Sequence, residues 1–292
     1  VDGQFEASRD LCNRVIARLG PDSGQEKLRA GAFETLGAAL QGLGDLDAAA
    51  SAIDDAVASE RRLSPAGSTD LAIFLSDLGF VRLDQGDFAG AEAAFAESLA
   101  LKRRLFGPQH VQVVSALNNL AYAQTYLGRA AEAVASAAES VRIARILFPA
   151  PHPDLAAALA AYGNALRGAD RSLAAEQAYS QALAVWQGID EAERTSSLTS
   201  AQAQYAAVLA DLGRFREALG YLDSAIAHYA AEEGHGGPRM DAARARRGFV
   251  LARLGRATEA ITELEATLPE LSATRFGWRS SDYFAWQSAY AG

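Results

Sequence analysis

The sequence predicts an all-α fold of stacked antiparallel helix pairs, and three observations carry that reading. A small residue recurs with a constant period, interrupted once by a single extra residue, at Gly37, Gly79, Ala121, Gly163, Ala206 and Gly248. Seven positions after each marker stands Gly44, Gly86, Gly128, Asp170, Gly213 or Gly255. Around these points apolar residues fall at helical spacing. A period of this length marks a solenoid, whose units cannot bury their apolar faces alone and therefore stack on their neighbours.

The elements follow in order along the chain. Ala7, Leu11 and Val15 lie one period before Ala49, Ile53 and Val57, so they read as the second helix of a pair without its first. Phe33, Leu36 and Gly37 then face Ala49, Ile53 and Val57 across the first complete pair. The clearest unit is the second. Its first helix runs through Leu71–Leu83 and stops at Gly86, the residue type that ends helices in a left-handed conformation. Its second helix carries Ala91, Ala94, Phe95, Leu99 and Leu101 and ends at Phe106-Gly107-Pro108.

The third unit sets Leu117, Leu120 and Ala121 against Ala133, Ala137 and Val141. The fourth sets Leu159, Tyr162 and Gly163 against Ala175, Tyr179, Ala182 and Leu183. Asp170 stands where the other turns have glycine, and a distorted joint is expected there. Tyr205, Ala206, Ala218, Leu222 and Ile226 form the fifth unit, and Gly248, Leu251, Ala260, Leu264 and Leu268 the sixth. A polar, glycine-rich linker, Glu232–Pro238, is expected to bend between them. Asp282 to Tyr290 reads as a first helix without its partner, and the aromatic stretch around Phe276, Trp278, Phe284 and Trp286 is expected to pack over the last complete repeat. The expected organisation is one solenoid over residues 1–292, with six complete units at about 27–270 and a partial unit at each end. Both ends stop inside the pattern and the first residue is not Met, so a piece of a larger protein is expected.

Composition narrows the function. Half the residues are apolar and only 8 are Pro, which argues against extensive disorder. The net charge of -9 and the pI of about 5.0 disfavour a nonspecific nucleic-acid or anionic-membrane binder, both of which need a basic surface. Cys12 is the only cysteine, so no intrachain disulfide forms; a buried structural thiol and a cytoplasmic location are the expectations. No apolar run is long enough to read as a membrane span.

The residue pattern resembles the tetratricopeptide repeat. In the second unit the matching residues are Leu75, Leu78, Gly79, Arg82, Gly86, Ala91, Phe95, Ser98 and Leu99. The usual repeat of that family is shorter, at about 34 residues against about 42 here. The longer period is similar to that of kinesin light chains and many bacterial multidomain proteins. Leu105-Phe106-Gly107-Pro108-Gln109-His110, followed by Leu117-Asn118-Asn119-Leu120-Ala121, carries this likeness. Leu147-Phe148-Pro149-Ala150-Pro151-His152-Pro153-Asp154 echoes it one period later. The resemblance implies a right-handed α-α superhelix whose concave surface comes mainly from the first helices and binds peptide segments or partner domains.

Carried onto this chain, the family's inward positions are Ile73, Ser76, Phe80, Leu83 and Asp84 in the second unit, and Ser115, Asn118, Tyr122, Thr125 and Tyr126 in the third. The fourth supplies Ala157, Ala160, Asn164, Arg167 and Gly168. The expected ligand groove centres on Asn118, Tyr122, Tyr126, Asn164 and Arg167. Asparagine amides can donate to and accept from a peptide backbone, tyrosines supply contact area at low entropic cost, and Arg167 can pair bidentately with a carboxylate. The competing reading has the asparagines bonding between repeats and the tyrosines packing there. A carboxylate clamp for a C-terminal tail is not expected, because Arg167 is the only central cation.

Arg61, Arg103 and Arg145, each one period after the last, form a possible accessory basic ridge late on successive second helices, enlarged by Arg62, Lys102, Arg104 and Arg142. Its alternatives are an anionic partner and pairing between repeats near helix C-termini. His110 and His152 occupy equivalent linkers, as does Ser68, so linker packing or helix capping is expected rather than metal binding. There is no phosphate loop, zinc-spaced cysteine set, nucleophile elbow or isolated acid/base pair. The expected function is a noncatalytic scaffold for a peptide or partner protein domain, without cofactor or metal, and without specific nucleic-acid or membrane binding. The alternative is an intramolecular regulatory or spacer domain controlling a neighbouring effector domain, with contacts to flanking domains.

Overall fold

The computed structural model describes residues 2–20, 24–149, 151–190, 196–233 and 238–273. Among these residues the regular structure is entirely helical, and contacts divide the chain into two compact units, Val1–Leu127 and Gly128–Gly292. His235, the middle of the glycine-rich linker and the C-terminal aromatic stretch lie outside the described residues.

The first unit holds α1 (Asp2–Leu19), α2 (Glu26–Gly42), α3 (Leu46–Leu63), α4 (Thr69–Asp84), α5 (Phe88–Phe106) and α6 (Val111–Tyr126). The second holds α7 (Ala130–Leu147), α8 (Pro153–Gly168), α9 (Ser172–Gln187), α10 (Ser196–Asp211), α11 (Phe215–Glu233), α12 (Pro238–Arg253) and α13 (Ala257–Ala273). Helices α2 and α3, α4 and α5, α8 and α9, α10 and α11, and α12 and α13 pack as pairs, and α1 lies against α2. The unit boundary falls at the turn inside the third repeat.

Each marker glycine removes a side chain where two helices cross. A Cβ on Gly79 would lie 2.5 Å from the Phe95 ring, and one on Gly163 would lie 2.6 Å from the Tyr179 ring. Gly37 meets Ile53 and Gly248 meets Leu264 in the same way. The large residue sixteen positions after the marker thus fills the space its glycine leaves. Phe95 and Tyr179 are almost wholly buried, one in each unit's core. Leu71, Phe74, Leu75, Leu78 and Val81 of α4 join Ile53 and Val57 of α3 in the first core. The second core has Tyr179, Tyr205, Leu209, Leu222 and Tyr229. Cys12 is buried as expected, and burial pushes its thiol above the ordinary range, which leaves it protonated and inert.

The turns show why the second period marker recurs. Gly86 sits at φ 77°, with its N–H donating to Leu83 O and that of Asp87 to Arg82 O. The expected distortion at Asp170 does not occur. This aspartate takes φ 57°, and the same two hydrogen bonds form, Asp170 N–H to Arg167 O at 3.0 Å and Arg171 N–H to Leu166 O at 2.9 Å. Aspartate is among the few L-residues that enter the left-handed region, so the turn keeps its shape and the strain falls on one residue.

Helix starts use side-chain caps at the repeat period. Ser68 Oγ accepts from Leu71 N–H at 3.0 Å. His110 Nδ1 accepts from Gln112 N–H, and His152 Nδ1 from Asp154 N–H, each at 3.2 Å. The imidazoles also stack on Phe106 and Phe148, with ring centroids 4.7 and 3.9 Å apart. These two histidines are therefore capping and linker-packing residues.

Candidate partner-binding face

The residues expected in the groove divide between the units. Asn118, Tyr122 and Tyr126 project from α6 in the first, and Asn164 and Arg167 from α8 in the second. On α6, Asn118 is half-buried and already engaged by a neighbouring group. Tyr122 and Tyr126 are one helical turn apart, with hydroxyls 3.0 Å apart and rings edge-on at 4.8 Å. Phe88, at the start of α5, stacks on Tyr126 at 5.1 Å. The result is a half-exposed aromatic surface of Phe88, Tyr126 and Tyr122. Its neighbours Ser115 and Thr125 return their hydroxyls to carbonyls of their own helix, Val111 and Ala121.

Arg167 is committed within the protein. Its side chain is only 9% exposed; Nε donates to Asp211 Oδ2 at 2.6 Å and Nη2 to Oδ1 at 3.3 Å. The sequence offers this guanidinium to a ligand carboxylate, whereas the structure gives it an internal one on the next first helix, α10. Asn164 lies half-buried on α8, one turn earlier.

The inward positions of α4 separate sharply. Ser76 and Leu83 are buried, whereas Ile73 and Phe80 are 43% and 41% exposed. The Phe80 ring rests edge-on against the buried Phe95, with centroids 5.2 Å apart, so one edge is anchored and the other faces solvent. These two large apolar residues carry more contact potential than the asparagines. Their spacing of two helical turns, visible in the sequence, is the signal that singles them out.

The basic ridge is largely paired. Arg61 Nη2 donates to both oxygens of Glu97, at 2.8 and 2.7 Å, linking α3 to α5. Arg145 Nη2 donates to Gln181 Oε1 at 2.8 Å, linking α7 to α9, and Arg103 is engaged as well. Arg62 pairs with Glu26 and Arg142 with Glu139. Lys102 does not belong to the ridge: it is 5% exposed and its Nζ donates to Ser76 Oγ at 3.1 Å. Ser76 and Ser98 lie 2.9 Å apart, and both donate to Ala72 O, so the ammonium ends in a buried polar network. Lys102 follows Ser98 by one helical turn, which puts it on the buried face of α5, one step round from Arg103.

Burial, then the charge of Glu34, push Asp77 up to about 6, with Lys102 acting in the opposite sense. Burial also lifts Asp84, against the hydrogen bond that Gln41 Nε2 donates to it at 2.5 Å. Among the described residues no group of three or more His, Cys, Asp or Glu side chains is placed to hold a metal ion, and no helix is long and apolar enough to cross a membrane.

In the second unit a cleft of about 520 Å³ opens among α11, α12 and α13 over Ile226 and Met240. Its charges neutralise one another. Arg247 donates to Asp223 at 2.6 Å and Glu263 at 2.7 Å, and Arg244 donates to Glu263 at 3.0 Å.

The sequence of residues 70–146 matches the family model of the tetratricopeptide repeat. No curated protein matches the chain. Among solved structures, BtubC (BKLC) from P. vanneervenii is similar over 81% of this chain and 93% of its own, with 20% identity and a TM-score of 0.60. A putative kinesin light chain from Podosopora anserina with nearly identical TPR-like repeats is similar over 71% of this chain and 99% of its own, at 19% identity and a TM-score of 0.53. A Rap protein complexed with Competence and Sporulation Factor is similar over 93% of this chain and 77% of its own, at 12% identity and a TM-score of 0.60. Residues 70–146 thus match the tetratricopeptide repeat by sequence, and the helix pairs share the fold of these solved structures.

Proposed function

We propose that the chain is a noncatalytic scaffold that holds a peptide segment or partner protein on the first-helix face of its repeats. The observation that carries this reading is the exposure of Ile73 and Phe80 on α4, whose other large apolar side chains are buried. On α6 the half-exposed Tyr122 stands one period after Phe80, with Tyr126 one turn beyond it. Aromatic residues held by packing on rigid helices are suited to binding, because little rotamer entropy remains to be lost. The Rap protein of similar fold is complexed with a Competence and Sporulation Factor, which supports binding as a use of this architecture.

The second unit contributes differently. With Arg167 tied to Asp211, recognition there rests on Asn164 and small residues, and the weight of binding falls on the first unit. The test is selection of a displayed peptide library on the full chain, followed by affinity measurement on Phe80→Ser/Tyr122→Ala. A loss of tenfold or more in affinity, with an unchanged helical circular dichroism spectrum, is expected. Equal affinities for the variant and the parent chain would refute this face. Arg167 is left intact, since its replacement disturbs the fold as well as the surface.

A further inference from the structure

The exposed face of α4 is more specific than an apolar patch. Ile73, Asp77, Phe80 and Asp84 follow one another at steps of four, three and four, which places them on one stripe of the helix. Apolar and acidic side chains alternate along it. The neighbouring first helices leave it accessible in different ways. At the equivalent positions α2 carries Gly31, Thr35 and Ala38, which are too small to cover it. Helix α6 carries Tyr122 and Tyr126 and has no charged residue from Val111 to Tyr126.

One ion pair, Lys27 of α2 with Asp70 at 3.3 Å, closes the N-terminal end of the stripe, and beyond it the charges beside Asp77, Phe80 and Asp84 are mainly acidic. Glu34 of α2 acts on Asp77 through its charge. Lys102 is the opposing cation, but it is buried beneath the face with its ammonium on Ser76, one lysine against three carboxylates. Arg82, on the same helix, is turned to Asp54 at 3.1 Å and Asp87 at 3.5 Å. Gln41 gives Asp84 one neutral hydrogen bond. Burial raises the proton affinity of both Asp77 and Asp84, with the charge of Glu34 adding to it at Asp77, so a cation laid over either carboxylate offsets the cost of its ionised form.

We propose that this face takes a cationic, extended segment of a partner protein, whose apolar side chains lie on Ile73 and Phe80 and whose lysines or arginines lie over Glu34, Asp77 and Asp84. The inference rests on the partner-binding reading above and adds the chemistry of the partner. Successive stripe residues are about 4.5–6 Å apart along the helix, somewhat closer than the roughly 6.6–6.8 Å between same-side residues of an extended chain. An acidic segment meets like charge along the stripe and is rejected.

Two matched fluorescent peptides test this on the full chain, one of repeated Leu-Ser-Lys-Ser and one of repeated Leu-Ser-Glu-Ser, by anisotropy. The lysine peptide is expected to bind at least tenfold more tightly and to weaken several-fold as salt is raised. Asp77→Asn/Asp84→Asn is expected to remove most of that preference, while Asp55→Asn/Glu265→Gln, an equal change of net charge at exposed positions elsewhere, leaves it intact. Ile73→Ser/Phe80→Ser is expected to abolish binding. If both peptides bind equally and Ile73→Ser/Phe80→Ser releases both, the face stands as a binding surface and its cationic preference is overturned. If the lysine peptide binds regardless of either stripe variant, the attraction is to the acidic protein as a whole and both readings fail. Absence of binding by either peptide overturns the inference.

Discussion

Arg167 and Asp211 join the first helices of adjacent repeats through two charge-assisted hydrogen bonds, at 2.6 and 3.3 Å. Arg167 stands four positions after its repeat marker and Asp211 five after the next. Gln41 and Asp84 hold the same two positions in the first unit and meet at 2.5 Å. The pairing is thus a structural link between repeats, drawn from positions where the family resemblance expects ligand contacts.

Removing the acid of the pair takes a carboxylate away from a buried guanidinium. Asp211→Ala is expected to lower stability by about 3 kcal/mol, the lower part of the range for a broken buried pair, since the aspartate side chain is 33% exposed. The double variant Arg167→Met/Asp211→Leu is expected to recover most of that loss. Urea denaturation of the single and double variants checks both outcomes.

At the marker glycines the helices leave no room for a methyl group. Gly79→Ala places a Cβ 2.5 Å from the Phe95 ring and is expected to cost about 1–3 kcal/mol by overpacking. Phe95→Leu in the same chain frees part of that space, so the two changes together are expected to cost less than their sum. Thermal denaturation of the four chains in this cycle measures the coupling.

The turn at Asp170 offers a gain. Its φ of 57° is strained for an L-residue and natural for glycine. Asp170→Gly is expected to stabilise the chain by about 0.5 kcal/mol, since relief of strain exceeds the added freedom of the unfolded chain. Asp170→Ala, which keeps a Cβ and loses the local polar group, is expected to destabilise it. Denaturant midpoints for the two variants should move in opposite directions.

Asp77 makes stability depend on pH in a stated direction. Its folded pKa, about 6, lies above the ordinary 3.8, so the folded chain holds this proton more tightly than the unfolded one. The contribution is fully present below 3.8, is lost as pH rises towards about 6, and stays lost above it. Asp77→Asn is expected to flatten that decline and to be more stable than the parent at neutral pH. Denaturation midpoints measured across this range test it; an unchanged pH profile in the variant would show that Asp77 is not the group responsible.

Much of the fold is legible in the sequence because one physical event recurs. A glycine meets a large side chain sixteen positions later, a second glycine turns the chain, and a capping residue starts the next repeat. The same period explains His110 and His152 as equivalents of Ser68. The site is less legible. Helical phase places Lys102 with Ser98 on the buried face of α5, but its position in a run of charged residues suggests a surface ridge. The Arg167–Asp211 pair spans more than a full period and depends on how one repeat is offset from the next, which spacing within a repeat does not reveal. Ile73 and Phe80 stand at groove positions in the sequence, but only burial shows that they remain exposed while Ser76 and Leu83 do not.

The most direct measurement is the methyl NMR spectrum of the isoleucine-labelled chain during titration with a library-selected peptide. Ile73 on α4 and Ile146 on α7 are both exposed, at 43% and 53%, but Ile73 alone belongs to a first helix. The expected result is a shift or broadening of the Ile73 methyl signal that saturates with binding, while Ile146 stays fixed. Saturating binding that moves Ile146 and leaves Ile73 unchanged would contradict partner recognition on the first-helix face.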